Sequence, residues 1–336
     1  MFPSLRHSVR GFLVAALLPL HVASAGEVKL LNVSYDVTRE FYQEFNPAFA
    51  AHWKRKTGET VTINQSHGGS SKQARSVIDG LEADVVTMNN FLDIDVLHER
   101  AHLIPKDWST RLPHQSTPST STILFLVRKG NPKAIKDWDD LVKPGVSVIV
   151  PNPKTSGNGR YSYLAAYGYA LKKSNGDAAV ARQFVGKLFG NVPVLDAGGR
   201  AATTTFAQRG LGDVLLTFEN EIHLTQREFS REGFESVVPS ISIVAENPVV
   251  WIDKVVSRRG SAAAAKAYLE YLFSDFGQEL AAKHHFRPVD PAVLSRHSAE
   301  FKPLQLFSVG EFLGGWSSVQ KTHFADGGVF DQIYKP

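Results

Sequence analysis

None of the 336 residues is a cysteine. That excludes a disulfide scaffold, a thiol nucleophile, zinc–thiolate centres and lipid attachment to an N-terminal cysteine. Charge of one sign is also missing, because 37 basic residues face 33 acidic ones. So even a balance gives no footprint for nucleic acid or an anionic membrane. No apolar run after the first 25 residues is long enough to cross a bilayer. Tandem repeats and low-complexity tracts are absent, as are a Gly-x-Ser-x-Gly nucleophile elbow and a Gly-Lys-Ser/Thr phosphate loop.

What is present describes a globular protein. Hydrophobic residues make up 43% and charged ones 21%, enough apolar material for a sizeable core. A length of 336 residues suits two lobes of about 100–200 residues each. At the N-terminus, Arg6 and Arg10 precede the apolar stretch Gly11 to Leu20, and Ala23-Ser24-Ala25 has the small-x-small pattern of a cleavage site. Residues 1–25 therefore read as a secretory signal peptide, with a mature start near Gly26. The mature chain keeps 35 basic residues against 33 acidic ones, the leader having held Arg6 and Arg10 and no acid. A secreted chain without an anchor is expected in the periplasm.

Strand-to-helix turns recur along the chain. Val28 to Val33 reads as a strand, Ser34 to Val37 as a turn, and Thr38 to Lys56 as a helix. Phe41, Phe45, Phe49 and Trp53 lie on one face of that helix, the pattern of a core stripe. A second unit follows, with strand 60–65, turn 66–71, helix 72–81 and a further strand at 83–88. A third is the most telling: strand Val146 to Val150, turn Pro151 to Arg160, helix Tyr161 to Lys172. Strand 192–195, turn 196–200, helix 201–208 and strand 213–218 continue the pattern. Residues 241–251 are expected to carry the chain back to the first lobe, and 261–282 read as a helix pair. Such alternation argues for α/β lobes with parallel sheets, whose ligands sit beyond the C-terminal strand ends.

A turn of this kind gathers free backbone N–H groups and the positive end of a helix dipole, a favourable place for an anion. Taken alone, the 151–160 turn reads better as an ordinary connection with Ser156 as helix cap than as an anion site. Recurrence at Ser70, Ser156 and Gly199 favours the anion. Asp36, in the first turn, is read alone as a helix cap. His284-His285, at a helix end, are expected to complement the dipole or pack. Ser162 is expected to face away from the turn.

Four motifs in order carry a resemblance: Leu30 to Asp36, Gln65 to Ser70, Pro151 to Gly157, and Gly210-Leu211-Gly212-Asp213-Val214-Leu215. They closely resemble the prokaryotic sulfate/thiosulfate-binding protein family, periplasmic receptors of ATP-binding-cassette importers. The likeness runs to the Phe324-Ala325-Asp326-Gly327-Gly328 tail. It implies the two-lobed periplasmic binding protein fold (type II), each lobe a mostly parallel sheet flanked by helices, with the ligand in the interlobe cleft. The expected boundaries are 26–117 plus 246–300 for the first lobe and 118–245 for the second. Residues 301–336 form a tail expected to pack across the lobes.

The resemblance also implies a site. Ser70 and Ser156 would donate from backbone or hydroxyl, and Gly157, Asn158 and Gly199 from the backbone. Asn158 replaces a glycine of the sulfate receptors. Phe218 replaces a tryptophan whose indole N–H reaches the ligand, and phenylalanine cannot donate. Phe218 brings the chain nearer the thiosulfate-binding branch. Asp36 is expected to orient backbone or to pair with Arg160. The implied protein is a monomer that binds sulfate or thiosulfate and docks on importer permease subunits. It has no cofactor, no metal, no catalytic residue and no membrane insertion. Binding by neutral donors alone is expected to vary little between about pH 6 and 8. A phosphate receptor, with Asp36 accepting from a protonated ligand, stays open, as do a periplasmic ester hydrolase and a sensing module without transport.

Overall fold

The computed structural model describes residues 27–334, so the leader expected at 1–25 lies outside the described residues. Twelve strands follow in chain order: β1 (Glu27–Tyr35), β2 (Thr60–Gly68), β3 (Val85–Thr87), β4 (Ser119–Val127), β5 (Val148–Pro151) and β6 (Leu195–Asp196). The rest are β7 (Val214–Phe218), β8 (Glu235–Val237), β9 (Ile241–Glu246), β10 (Val249–Trp251), β11 (Arg287–Pro288) and β12 (Gln305–Phe307). They build two sheets. One has the order β10-β3-β1-β2, the other β12-β9-β4-β7-β5-β6.

Both sheets share a plan. A parallel triplet, β2-β1-β3 or β6-β5-β7, carries beside its third strand an antiparallel one that arrives from elsewhere in the chain. The antiparallel strands are β10 in the first sheet and β4 in the second. A strand crossing from the other sheet starts at the cleft, where the parallel strands end, and so must run against them. This corrects the expectation of a mostly parallel second lobe. That sheet is mixed, because β4 is antiparallel to β7, β8, β9 and β11. Residues 241–251 form two strands. Asn247-Pro248 separates β9 in one sheet from β10 in the other, since proline cannot donate to a ladder.

The aromatic stripe packs as its spacing predicts. Phe41, Phe45, Phe49 and Trp53 are buried on the Arg39–Thr57 helix, and Phe45 and Phe49 meet Tyr268 edge-on at 5.2 and 5.1 Å. Each such ring contributes about 1.5–3 kcal/mol by leaving water. The helix stops at Gly58, whose φ of 80° allows its N–H to reach the Lys54 carbonyl.

The Gly157–Lys173 helix is different, being buried on every side from Gly157 to Ala170. Such a helix belongs in the interior, and here the tail covers it. β12 pairs with β9, and Phe307 lies so close to Gly168 that a Cβ there would sit 2.2 Å from its ring. Lys154 Nζ reaches the Phe324 carbonyl at 3.0 Å and Asp331 at 2.9 Å. The tail thus fastens to the second sheet's side. It faces the first lobe's Ser70–Ile78 and Leu92–Ala101 helices across a groove of about 850 Å³. Among the described residues no helix is long and apolar enough to cross a membrane.

Candidate functional site

The Gly157–Lys173 helix begins four residues before the expected Tyr161, and that shift defines the site. Gly157, Asn158 and Gly159 become its first turn, with Ser156 as cap in extended backbone (φ −127°, ψ 129°). The Ser156 hydroxyl accepts the Gly159 N–H over a long 3.4 Å. The N–H groups of Gly157 and Asn158 find no acceptor among the described residues. The same holds for Gly199, which opens the helix after β6, and for Ser70, which opens the helix after β2. All four residues are buried. Buried backbone N–H groups without partners are rare in folded proteins, so four of them need a ligand or water.

These turns converge. A Cβ on Gly69 would lie 4.0 Å from the Thr155 carbonyl, and one on Gly157 would overlap the Asn89 side chain. A Cβ on Gly199 would come within 3.1 Å of Asn158 Nδ2. The two sheets' turns therefore meet face to face, the closed arrangement of the cleft. Asn158 sits in right-handed helical backbone, so the exchange for glycine carries no strain. Its amide donates to Thr217 Oγ1 at 2.9 Å and accepts from the Ser162 hydroxyl at 3.2 Å. Ser162 therefore does not face away; it sits one helical turn behind Asn158 and fixes that amide.

Phe218 ends β7 at 3% exposure, its ring edge-on to Tyr161 at 5.9 Å. Arg160 is buried, donates to the Pro153 carbonyl at 3.1 Å, and lies 3.6 Å from Asp93 of the first lobe. Its carboxylate partner is thus Asp93, and the expected pairing with Asp36 is corrected. Asp36 starts the short turn after β1 instead, where burial raises its pKa while Arg200, Arg39 and nearby N–H groups pull it down. Arg200 itself bridges the lobes, binding Glu40 at 3.1 Å and Glu221 at 3.0 Å. Arg160, Arg200 and Lys154, the buried and half-buried cations nearest the second-lobe turns, already face carboxylates, and the free backbone donors are neutral.

Titratable groups also lie near the turns. Burial holds His67 below its usual pKa, and the ring bonds Ser34 and Gln65, so it stays uncharged. Burial also pushes Glu221 up to about 8, against the pull of Arg200, and Glu246 up to about 7. Two buried carboxyls are thus raised into the range of pH 6 to 8.

Sequence reading passed over two features. Asn89 and Asn90, after β3, belong to the wall facing Gly157, a place that pattern alone does not reveal. His98-Glu99-Arg100-Ala101-His102 carries the His-Glu-x-x-His spacing of zinc peptidases. His102, however, lies past the end of the Leu92–Ala101 helix at φ 49°, and His98 Nδ1 is 2.9 Å from the Ile104 carbonyl. Among the described residues no group of three or more His, Asp or Glu could hold a metal. His284-His285 do pack: His284 is edge-on to Phe41 at 5.9 Å, and His285 stacks on His223 at 4.1 Å.

Residues 30–287 match the family model of bacterial extracellular solute-binding proteins. A thiosulfate-binding protein of Pseudomonas aeruginosa is 61% identical over 96% of this chain and 97% of its own. The chain belongs to the prokaryotic sulfate/thiosulfate-binding protein family. Within that family, identity does not separate the two anions. In Escherichia coli a sulfate-binding protein is 55% identical, over 95% of this chain and 97% of its own. A thiosulfate-binding protein of the same organism is 49% identical, over 96% and 95%. The sulfate-binding protein SubI from Mycobacterium tuberculosis superposes with a TM-score of 0.79 at 33% identity, covering 88% of this chain and 98% of that one. The two-sheet architecture is accordingly that of type II periplasmic binding proteins.

Proposed function

We propose that this family member is a periplasmic receptor that captures sulfate or thiosulfate in the cleft and delivers it to an ATP-binding-cassette importer, without catalysis. The observation that carries the reading is the set of buried, acceptorless N–H groups at Ser70, Gly157, Asn158 and Gly199. Nearby guanidinium and ammonium groups are spent on Asp93, Glu40, Glu221 and Asp331. Such a cradle suits an anion that has shed its water and its protons, because it offers donors and holds its charge by dipoles alone. Hydrogen bonds to a charged group contribute roughly 1.5–3 kcal/mol each. Bonds from the four N–H groups and one from the Ser156 hydroxyl leave about 8 kcal/mol, a micromolar complex, after desolvation and closure. Family relatives named for both anions support the substrate class.

Titration calorimetry of the mature protein against sulfate, thiosulfate, phosphate and molybdate tests the reading. Heat from the first two and none from phosphate is the expected pattern. Phosphate binding that strengthens as pH falls and vanishes in Asp36→Asn would instead favour a phosphate receptor. Ser156→Ala should weaken binding by about 1.5–3 kcal/mol. Ser76→Ala, whose hydroxyl is exposed and bonds the Lys72 carbonyl, replaces Ser162 as the control.

A further inference from the structure

Asn89 lies in the bend after β3 and is 5% exposed. Its side chain occupies the space directly above the Gly157 backbone. A Cβ built on Gly157 would sit 2.1 Å from Asn89 Oδ1, 2.4 Å from Nδ2 and 2.5 Å from Cγ. Its own backbone N–H donates to the Ser70 hydroxyl at 3.2 Å. The amide therefore stands between the first-lobe turn at Ser70 and the first free N–H of the second-lobe helix.

Which end of that amide faces outward follows from its neighbours. The Asp93 backbone N–H, a donor without alternative, gives its proton to Asn90 Oδ1 at 2.9 Å. The other end of the Asn90 amide must then be its NH₂ group, which donates to Asp93 Oδ2 at 2.9 Å and to Asn89 Oδ1 at 2.8 Å. Since the Asn89 atom receiving that bond is its oxygen, Nδ2 is left pointing elsewhere, and it has no acceptor among the described residues. The chain of bonds is anchored at its far end. Asp93 also accepts from the Ser71 hydroxyl at 2.9 Å and faces Arg160 of the opposite lobe.

We propose that Asn89 is a further ligand-binding residue, giving its side-chain NH₂ to the bound oxyanion. This rests on the receptor reading above. The Asn89 NH₂ has no acceptor among the described residues and is left to water, and a dianion against Gly157 takes that place with a charge-assisted bond. The donor is neutral and set by a network rather than by its own flexibility, so little entropy is lost when it bonds. It also balances Phe218: the first lobe supplies a side-chain donor where the second lobe's strand end offers a phenyl ring.

Calorimetry with sodium sulfate and sodium thiosulfate on wild type, Asn89→Ala and Asn89→Asp tests the assignment, with ligand-free thermal unfolding as the folding control. Asn89→Ala removes the donor and should raise Kd about ten- to hundredfold. Asn89→Asp keeps the shape and the acceptor for Asn90 but turns a carboxylate toward the anion, so it should lose more than the alanine variant. Both variants should unfold without ligand near the wild-type temperature and show a smaller shift on adding anion. Wild-type Kd values in both variants would overturn the proposal and leave Asn89 as packing over Gly157. Wild type that binds neither anion would overturn the receptor reading, and the ligand role of Asn89 with it.

Discussion

The two lobes offer the cleft the same device, a strand, a polar turn and a helix start, but hold it in place differently. In the second lobe the turn is fixed by backbone packing. A Cβ on Gly159 would lie 2.3 Å from the Pro151 carbonyl, one on Gly157 would overlap Asn89, and the helix behind them is buried all round. The first-lobe turn has room. A Cβ on Gly68 or Gly69 would meet nothing nearer than 3.5 and 4.0 Å, and the Ser70–Ile78 helix keeps one face toward solvent. Side chains steady it instead: Gln73 donates to Ser66, His67 bonds Ser34, and Ser70 takes the Asn89 N–H. One half of the site is set by shape, the other by a polar network. Close packing tolerates little change, whereas a network with slack around it can adjust.

Gly157→Ala should expose the difference most sharply. Gly157 opens a right-handed helix, in backbone that alanine adopts at least as readily as glycine, so the unliganded protein should fold at least as well. Closure is another matter, because the new Cβ would occupy the position of the Asn89 amide. Either the lobes stay apart or the amide leaves its network. We expect affinity for both anions to fall more than a hundredfold, about 2.7 kcal/mol or more. Small-angle scattering should show the radius of gyration shrinking with ligand in wild type but not in the variant. A variant that still closes and binds would mean the second-lobe turn is softer than its packing suggests.

Phe218→Trp sharpens the comparison at the strand end beside the rigid turn. Sulfate presents four equivalent oxygens, whereas thiosulfate replaces one with a polarisable sulfur that accepts hydrogen bonds weakly. A phenyl edge favours sulfur by roughly 0.3–1.5 kcal/mol if thioether contacts are a guide. An indole N–H favours oxygen. The ratio of the two affinities should move toward sulfate by up to about tenfold, ~1.4 kcal/mol. The ring is already packed edge-on to Tyr161, so an unchanged ratio with folding intact would make Phe218 a core residue and nothing more.

How much of this could be read beforehand depended on whether the signal was local. The turns at Ser70, Ser156 and Gly199 were legible because period-two runs, glycine–serine punctuation and helical spacing sit side by side in the chain. The helix start at Gly157 was not, because glycine and asparagine score poorly as helix formers while tertiary burial overrides propensity. The partner of Arg160 was beyond reach, since Asp93 lies in the other lobe and Asp36 looked equally acidic. Nothing in sequence marks Lys154 as the clasp for residues 324–331, a contact about 170 positions away. Asn89 and Asn90 follow the strand read at 83–88 and carry no motif; only the folded cleft sets Asn89 over Gly157.

The carboxyls behind the rigid half give a smaller effect, on stability rather than binding. Burial raises Glu221 from 4.5 to about 8, so the folded protein keeps a proton that the unfolded chain releases. Its contribution is therefore present at acid pH and is lost as pH rises toward 8. Glu246, raised to about 7, acts in the same direction. Thermal unfolding without ligand should show wild type losing stability from pH 6 to 8, with Glu221→Gln flattening that slope while still accepting from Arg200. If wild type instead showed no such slope and Glu221→Gln changed nothing in it, Glu221 would be charged throughout this range and held by Arg200 as an ion pair.

Gly69→Ala should do least of all, and the argument for that is the converse of the one at Gly157. Gly69 has φ −56° and ψ 136°, a conformation open to any residue, so no strain enters the backbone. Its Cβ would stand 4.0 Å from the Thr155 carbonyl, ordinary contact that leaves the closed cleft undisturbed. Two small terms oppose each other. Alanine restricts the unfolded chain, worth about 0.4–1 kcal/mol of stability, whereas at a helix cap it is poorer than glycine by roughly 0.5–1 kcal/mol. They nearly cancel, so the unfolding temperature should stay within about 3 °C of wild type, and a change in Kd below about threefold, under 0.7 kcal/mol, is expected for either anion. Calorimetry and thermal unfolding of Gly69→Ala beside Gly157→Ala measure the asymmetry directly. Equal losses of affinity in the two variants would mean that the first-lobe turn presses its backbone against the anion as closely as the second, and that slack at Gly69 is not slack in the liganded cleft.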